Sequence, residues 1–163
     1  MTNFNLTDHK SPENIHRRIH AKCNSFSRTI LYTYSPNGTY QLQNSEVELQ
    51  EGEIPLFESR TSGCYLLITT THLYSEIKIK MGDSIYFRSY TTPIEQITYS
   101  GNIWDIIAQR KERTLYQEEI IKHIPTVNGE SIEVIIPTGI TENILHEVLT
   151  QIVWMCQKYK GIE

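Results

Sequence analysis

Long apolar runs are missing from this chain. No stretch approaches the roughly 20 residues that a helix needs to cross a bilayer. The opening residues, MTNFNLTDHKSPENIHRR, place no apolar segment behind a charged start and so do not read as a secretory signal. Cysteine is scarce: Cys23, Cys64 and Cys156 are odd in number and widely spaced. They fit no disulfide framework and read as free thiols in a reducing compartment, which points to the cytosol. Charge of one sign is lacking too. The net charge is -4 with a pI near 5.9, without the basic excess of a general nucleic-acid binder, so no nucleic-acid partner is expected. Walker, GxGxxG and GxSxG motifs are absent, which removes the usual phosphate-cradling and nucleophile-elbow signatures. Without repeats, low-complexity tracts or Gly/Ser/Pro linkers, the sequence reads as one domain over residues 1–163.

What is present suffices for a core. The 39% hydrophobic share and 21% charged share are ordinary for a globular domain, and 163 residues match the usual size of one. Residues 1–10 form a polar lead. Ser11-Pro12-Glu13 has the form of a helix start, with Ser11 as N-cap and Pro12 in the first turn. From there Ile15, Ile19, Cys23, Phe26, Ile30 and Tyr34 recur at steps of three and four, so a helix is expected over 11–35. Ser35-Pro36-Asn37-Gly38 would end it.

Over 46–137 the pattern shifts to short strands. EIPLFES contains Pro55, which belongs at an edge or at a strand's start because it cannot donate to a ladder. CYLLITT and HLYSEIKIK form a candidate pair. Successive side chains of a strand point to opposite faces, which sets Leu66 and Ile68 against Tyr65, Leu67 and Thr69. MGDSIYFRSY holds a Gly-Asp turn, and TTPIEQITYS and IWDIIAQRKERTLY add further short runs. Asn128-Gly129 is the clearest hairpin signal and suits a type I′ turn. A final helix is expected over 141–160, capped by Thr141. Its apolar face carries Ile144, Leu145, Val148, Leu149, Ile152 and Val153, and Glu142 in the first turn matches the helix dipole.

Candidate chemistry is sparse. His16 and His20 share a helix face with Cys23, a spacing that could grip a metal. Arg17 stands where a zinc-protease motif needs Glu, and Arg17 and Arg18 would repel a cation, so a solvated cationic face is the plainer reading. Cys64 and Cys156 lie on apolar faces like ordinary core thiols. His72, His123 and His146 stand alone. QRKERTLY supplies Arg110, Lys111 and Arg113, which with Arg17, Arg18, Lys22 and Arg60 could form an anion or partner surface. Ten tyrosines are many for this length. Tyr combines apolar area with a polar tip, as interfaces favour, and Tyr32, Tyr34 and Tyr40 are the ones least explained by strand alternation.

The run SGCYLLITTTHLY followed by TTPIEQITY resembles bacterial pleckstrin-homology-like and GRAM-type domains. Leu66, Leu67, Thr69, Leu73 and Tyr74 match the first of that family's patterns, and Pro93, Ile94 and Ile97 match the second. The resemblance covers about residues 46–160. It implies a bent antiparallel β-barrel of about seven strands plugged by the C-terminal helix, with the N-terminal helix as an addition, an α+β fold. It also implies a mostly non-enzymatic protein that binds phosphoinositides, peptides or other proteins. Lipid-binding members cluster Lys and Arg between their first two strands, where ESRTSG offers only Arg60.

These readings converge on a small cytosolic binding protein, non-enzymatic and without a cofactor or metal, acting through contact with another protein. An immunity- or inhibitor-type role suits that description. The alternative is a phospholipid-headgroup module on the membrane surface using Arg60, Arg110, Lys111 and Arg113. A metal- or thiol-dependent enzyme built on His16, His20 and Cys23 is the third reading.

Overall fold

The structure is a computed structural model that describes residues 17, 29–32, 35, 39–44, 46–61, 63–98, 119–137 and 140–158. Five antiparallel strands form one sheet in sequence order: β1 (Thr29–Leu31), β2 (Pro55–Arg60), β3 (Cys64–Thr69), β4 (His72–Met81) and β5 (Ser84–Pro93). A short 3-10 turn, Ile94–Gln96, follows β5. β6 (Glu119–Pro125) and β7 (Ser131–Pro137) then make a separate two-stranded hairpin, and helix α1 (Ile140–Lys158) ends the described fold.

This arrangement corrects the expected closed barrel with two helices. β6 and β7 pair with each other rather than with the five-stranded sheet, and among the described residues the one bridge outside named strands joins Ile97 to Thr126. Closure requires every edge to find a neighbour, whereas β1 and β5 here stand at the two ends of the strand order. Helix α1 is the only α-helix whose bounds the described residues define. The helix expected over 11–35 is cut short, because Thr29, Ile30 and Leu31 pair with Ser59, Glu58 and Phe57 as a strand. Arg17, in helical conformation, is the one described residue before β1, so the rest of that expected helix lies outside the described residues.

Local chemistry explains the strands that do form. Pro55 is the first residue of β2, and a register irregularity follows between it and Phe57. The missing N–H of proline is tolerated at such a start. Met81 pairs with Ser84 across the two-residue turn Gly82-Asp83, where Gly82 has φ +61°. A two-residue hairpin needs this positive φ, which glycine adopts without a Cβ clash. The β6–β7 turn differs from the expected type I′ form. Thr126 N–H donates to the Glu130 carbonyl, Gly129 N–H donates to the Thr126 carbonyl, and Gly129 has φ +83°. That is a three-residue loop, Val127 to Gly129, with glycine at the left-handed position.

The register divides the sheet into two faces. Leu31, Phe57, Cys64, Leu66, Ile68 and Leu73 lie on one face, in a single buried cluster with Ile94, Ile97, Ile124, Ile132, Val134 and Ile136. Ile144, Leu145, Val148, Leu149, Ile152 and Val153 of α1 close that cluster, the apolar stripe that the sequence marks. α1 begins one residue before Thr141, so Thr141 lies within the helix rather than capping it. Lys122 Nζ sits 3.3 Å from Glu142 Oε2, and both side chains are largely buried. The pair fastens the start of α1 to β6.

The opposite face carries Glu58, Leu67 and Thr69, all fully buried, and Tyr65, nearly so. Its cover is the segment between β1 and β2, and two glutamates hold that cover down.

Candidate contact surface

Glu58 lies in mid-strand on β2 and is 0% exposed. Tyr32 and Tyr65 hydroxyls donate to its two carboxylate oxygens. The Gln43 N–H, 2.9 Å from each oxygen, and the Asn44 N–H at 3.4 Å complete the shell. Burial, then the hydrogen bond to Glu58 and its negative charge, pushes the Tyr32 and Tyr65 phenols well above their ordinary 10.0. Glu53 forms a second hub. Its carboxylate accepts from Thr69 Oγ1 at 2.5 Å, Thr71 Oγ1 at 3.0 Å, the Tyr74 hydroxyl at 2.9 Å and the Gln50 N–H at 3.0 Å. Burial raises the Glu53 pKa, but the bonds from Thr69, Gln50, Tyr74 and Thr71 together outweigh it, and the net shift is downward. His72 joins at the rim: Nδ1 lies 2.8 Å from Thr71 Oγ1 and 3.6 Å from Glu53 Oε2. The donors around Glu53 stabilise its charged form, and the bonds of both glutamates fasten the segment to the sheet.

The exposed chemistry lies elsewhere, on the β4–β5 hairpin. The ten-residue register from His72↔Pro93 to Met81↔Ser84 carries the two strands beyond the core. Burial on β4 fades after Ile77, and β5 is exposed from Ser84 through Ser89. Met81 is 66% exposed, Phe87 64%, Tyr86 54% and Ile85 51%. Ile85 and Phe87 lie on one face of the hairpin and Tyr86 and Met81 on the other, so both faces of its end hold apolar side chains in solvent, and clustered exposed apolar area of this kind commonly marks a contact site.

The outer edge of β5 can be read from one hydrogen bond. Lys78 N–H donates to the Gly63 carbonyl, so even-numbered residues of β4 face β3 and odd-numbered ones face β5. The pairing then turns Tyr86, Arg88 and Tyr90 inward to β4. Ile85, Phe87, Ser89 and Thr91 direct their N–H and C=O groups outward. Among the described residues no strand pairs with this edge.

Beside the hairpin lies a small cleft of about 120 Å³ lined by Arg60, Tyr65, Glu76, Lys78 and Phe87 among others. The Arg60 guanidinium lies 5.3 Å from the centre of the Tyr65 ring, a cation–π contact. The cleft therefore joins the one basic residue of ESRTSG to the apolar hairpin.

Of the expected surface residues, Arg60 and Arg17 are exposed, the former on this cleft. Tyr32 is buried on Glu58 and meets Tyr40 edge-to-face at 6.3 Å and 81°. The Tyr40 hydroxyl accepts from Ser35 N–H at 2.9 Å. Tyr32 is thus structural and offers no contact surface, and Tyr40 is half-buried beside it. Arg18, Lys22, Tyr34, Arg110, Lys111 and Arg113 lie outside the described residues, as do His16, His20 and Cys23. Cys64 is buried and is in no disulfide among the described residues. Among the described residues no three His, Cys, Asp or Glu side chains are grouped to hold a metal ion. None of the described helices is long and apolar enough to cross a membrane.

The sequence reading missed Glu53, Glu58 and the hairpin surface. A carboxylate inside the apolar run PLFES was a signal for Glu58, since an unpaired charge there would be costly. The apolar types of Met81, Ile85 and Phe87 carry no local signal that they stay in solvent.

No protein-family model matches the chain, and no curated protein or solved structure matches it either.

Proposed function

We propose that this chain is a non-enzymatic binding protein of the cytosol that works through protein–protein contact, with the β4–β5 hairpin as its contact surface. The supporting observation is the exposed edge of β5, with Ile85, Tyr86 and Phe87 in solvent beside Met81. An edge strand offers a row of backbone donors and acceptors, and proteins ordinarily blunt such edges with charge, proline or a cover. β5 has one charge, Arg88, and its proline comes last, at Pro93. Pairing supplies affinity through the main chain, and alternating side chains supply selectivity. No cofactor enters this reading. An inhibitor- or immunity-type role, in which the chain covers the working surface of another protein, is consistent with such a contact.

The test compares the wild-type chain with Phe87→Lys. Self-association is followed by sedimentation, and proteins recovered from the source cell are purified and titrated back by calorimetry. The expected result is at least one protein contact that Phe87→Lys weakens about tenfold or more, as a central aromatic anchor should. Contacts that Phe87→Lys leaves unchanged would remove the hairpin from this role. Salt-sensitive binding to anionic vesicles that Arg60→Ala weakens and Phe87→Lys does not would instead favour the membrane-surface reading.

A further inference from the structure

Resting on the hairpin as a contact surface, we infer that the occupant of the β5 edge is a second copy of this chain, joined antiparallel about a twofold axis at Phe87. An isologous contact uses the same patch on both partners, so the patch must complement itself. β5 meets that condition. Phe87 directs its N–H and C=O outward, and a twofold axis at this residue pairs Phe87 with Phe87 of the second copy. Ile85 then pairs with Ser89 of the copy, and Ser89 with its Ile85, all three being outward-facing residues. On the other face Arg88 lies opposite Tyr86 of the copy, which sets a guanidinium beside a phenol ring twice.

Charge favours this register over its neighbour. An axis at Arg88 would oppose two guanidinium groups directly, and like charges opposite each other across strands are destabilising. Around the hairpin the cations Lys78, Lys80 and Arg88 nearly cancel the carboxylates Glu76 and Asp83, so one copy presents no strong field against another. Lys78 and Lys80 share the face of Phe87 and Ile85 but sit on β4, one strand back from the axis. Their separation across the dimer then spans several strand spacings of about 4.8 Å each, beyond a Debye length at physiological salt. The product is a continuous ten-stranded sheet with both β5 edges covered.

The experiment uses the full chain. Sedimentation equilibrium is run from low to high micromolar protein for wild type, Phe87→Lys and Ser89→Pro, with circular dichroism and thermal melting as fold controls. Ser89 faces outward, so proline there removes an edge donor while the β4 ladder keeps its bonds. Hydrogen exchange of the Ile85, Phe87 and Ser89 amides is measured in parallel. The expected result is a wild-type dimer whose dissociation constant rises about tenfold or more in both folded variants. These three amides should also gain protection as wild-type concentration rises. A wild-type monomer throughout, or a dimer that survives both substitutions, overturns the second-copy assignment. If the wild type is monomeric yet binds a different purified protein through Phe87, the contact reading stands without it. If it is monomeric and nothing binds through Phe87, both fail. Vesicle binding by a monomer that Phe87→Lys abolishes also overturns it.

Discussion

Removing the Glu58 carboxylate should release the cover from one face of the sheet. Among the described residues every hydrogen-bond partner of this carboxylate is a donor: the Tyr32 and Tyr65 hydroxyls and the Gln43 and Asn44 N–H groups. Glu58→Ala leaves these donors facing a buried void. Loss of one member of a buried, charge-assisted set costs about 3–5 kcal/mol. Glu58→Gln keeps the volume but points an amide N–H₂ at donors. A phenol can turn to accept from it, whereas a backbone N–H cannot, and the cost falls to about 1–3 kcal/mol. Urea denaturation followed by circular dichroism measures both losses. A double-mutant cycle with Tyr65→Phe should give a coupling of about 1–2 kcal/mol, because the two groups share one bond. Limited proteolysis should also begin to cut within residues 39–50 in Glu58→Gln, since Gln43 and Asn44 lose their anchor. A Glu58→Gln protein as stable as wild type, or effects additive with Tyr65→Phe, would refute this account.

Three further outcomes are expected. Leu67 is 0% exposed, so Leu67→Ala should cost about 2–5 kcal/mol in the same denaturation assay. His72→Ala, at the half-exposed rim of Glu53, should cost under about 1 kcal/mol. Glu53 has a lowered folded pKa from an ordinary 4.5. Its contribution is therefore present above pH 4.5 and lost as pH falls through the folded value, so melting temperature should drop more steeply below about pH 4.5 in wild type than in Glu53→Gln. Tyr32, Tyr65 and Tyr74 have folded pKa values raised above 10.0. Their contribution is complete below pH 10 and declines as pH rises beyond it. Phenolate absorbance should show these three titrating only as the protein unfolds, and early titration of all ten tyrosines would contradict the buried networks.

Part of this fold was legible because certain residues carry their meaning locally. Ile144, Leu145, Val148, Leu149, Ile152 and Val153 mark the buried face of α1 through helical period alone. Gly82 and Gly129 mark turns because few other residues accept a positive φ. Cys64 to Thr69 read as a strand, and its pairing with His72 to Met81 followed from the short turn between them. Thr29 to Leu31 was lost because three residues inside a longer three-and-four pattern cannot announce a strand. Their partner, Phe57 to Ser59, lies far along the chain. Tyr32 reads equally well as a surface residue because a tyrosine's type is the same at an interface and in a core. Only its hydroxyl on Glu58 distinguishes them.

The sequence by itself determined where helix, turns and most strands form, since periodicity and backbone preference act over neighbouring residues. Tertiary structure alone decided what those elements leave in solvent. Strands of similar composition, CYLLIT and SIYFRSY, end respectively buried throughout and almost wholly exposed. The difference is position: β3 has strands on both sides and cover on both faces, while β5 is an edge that extends past the core. Burial is a property of what lies across the gap, and no local pattern encodes it.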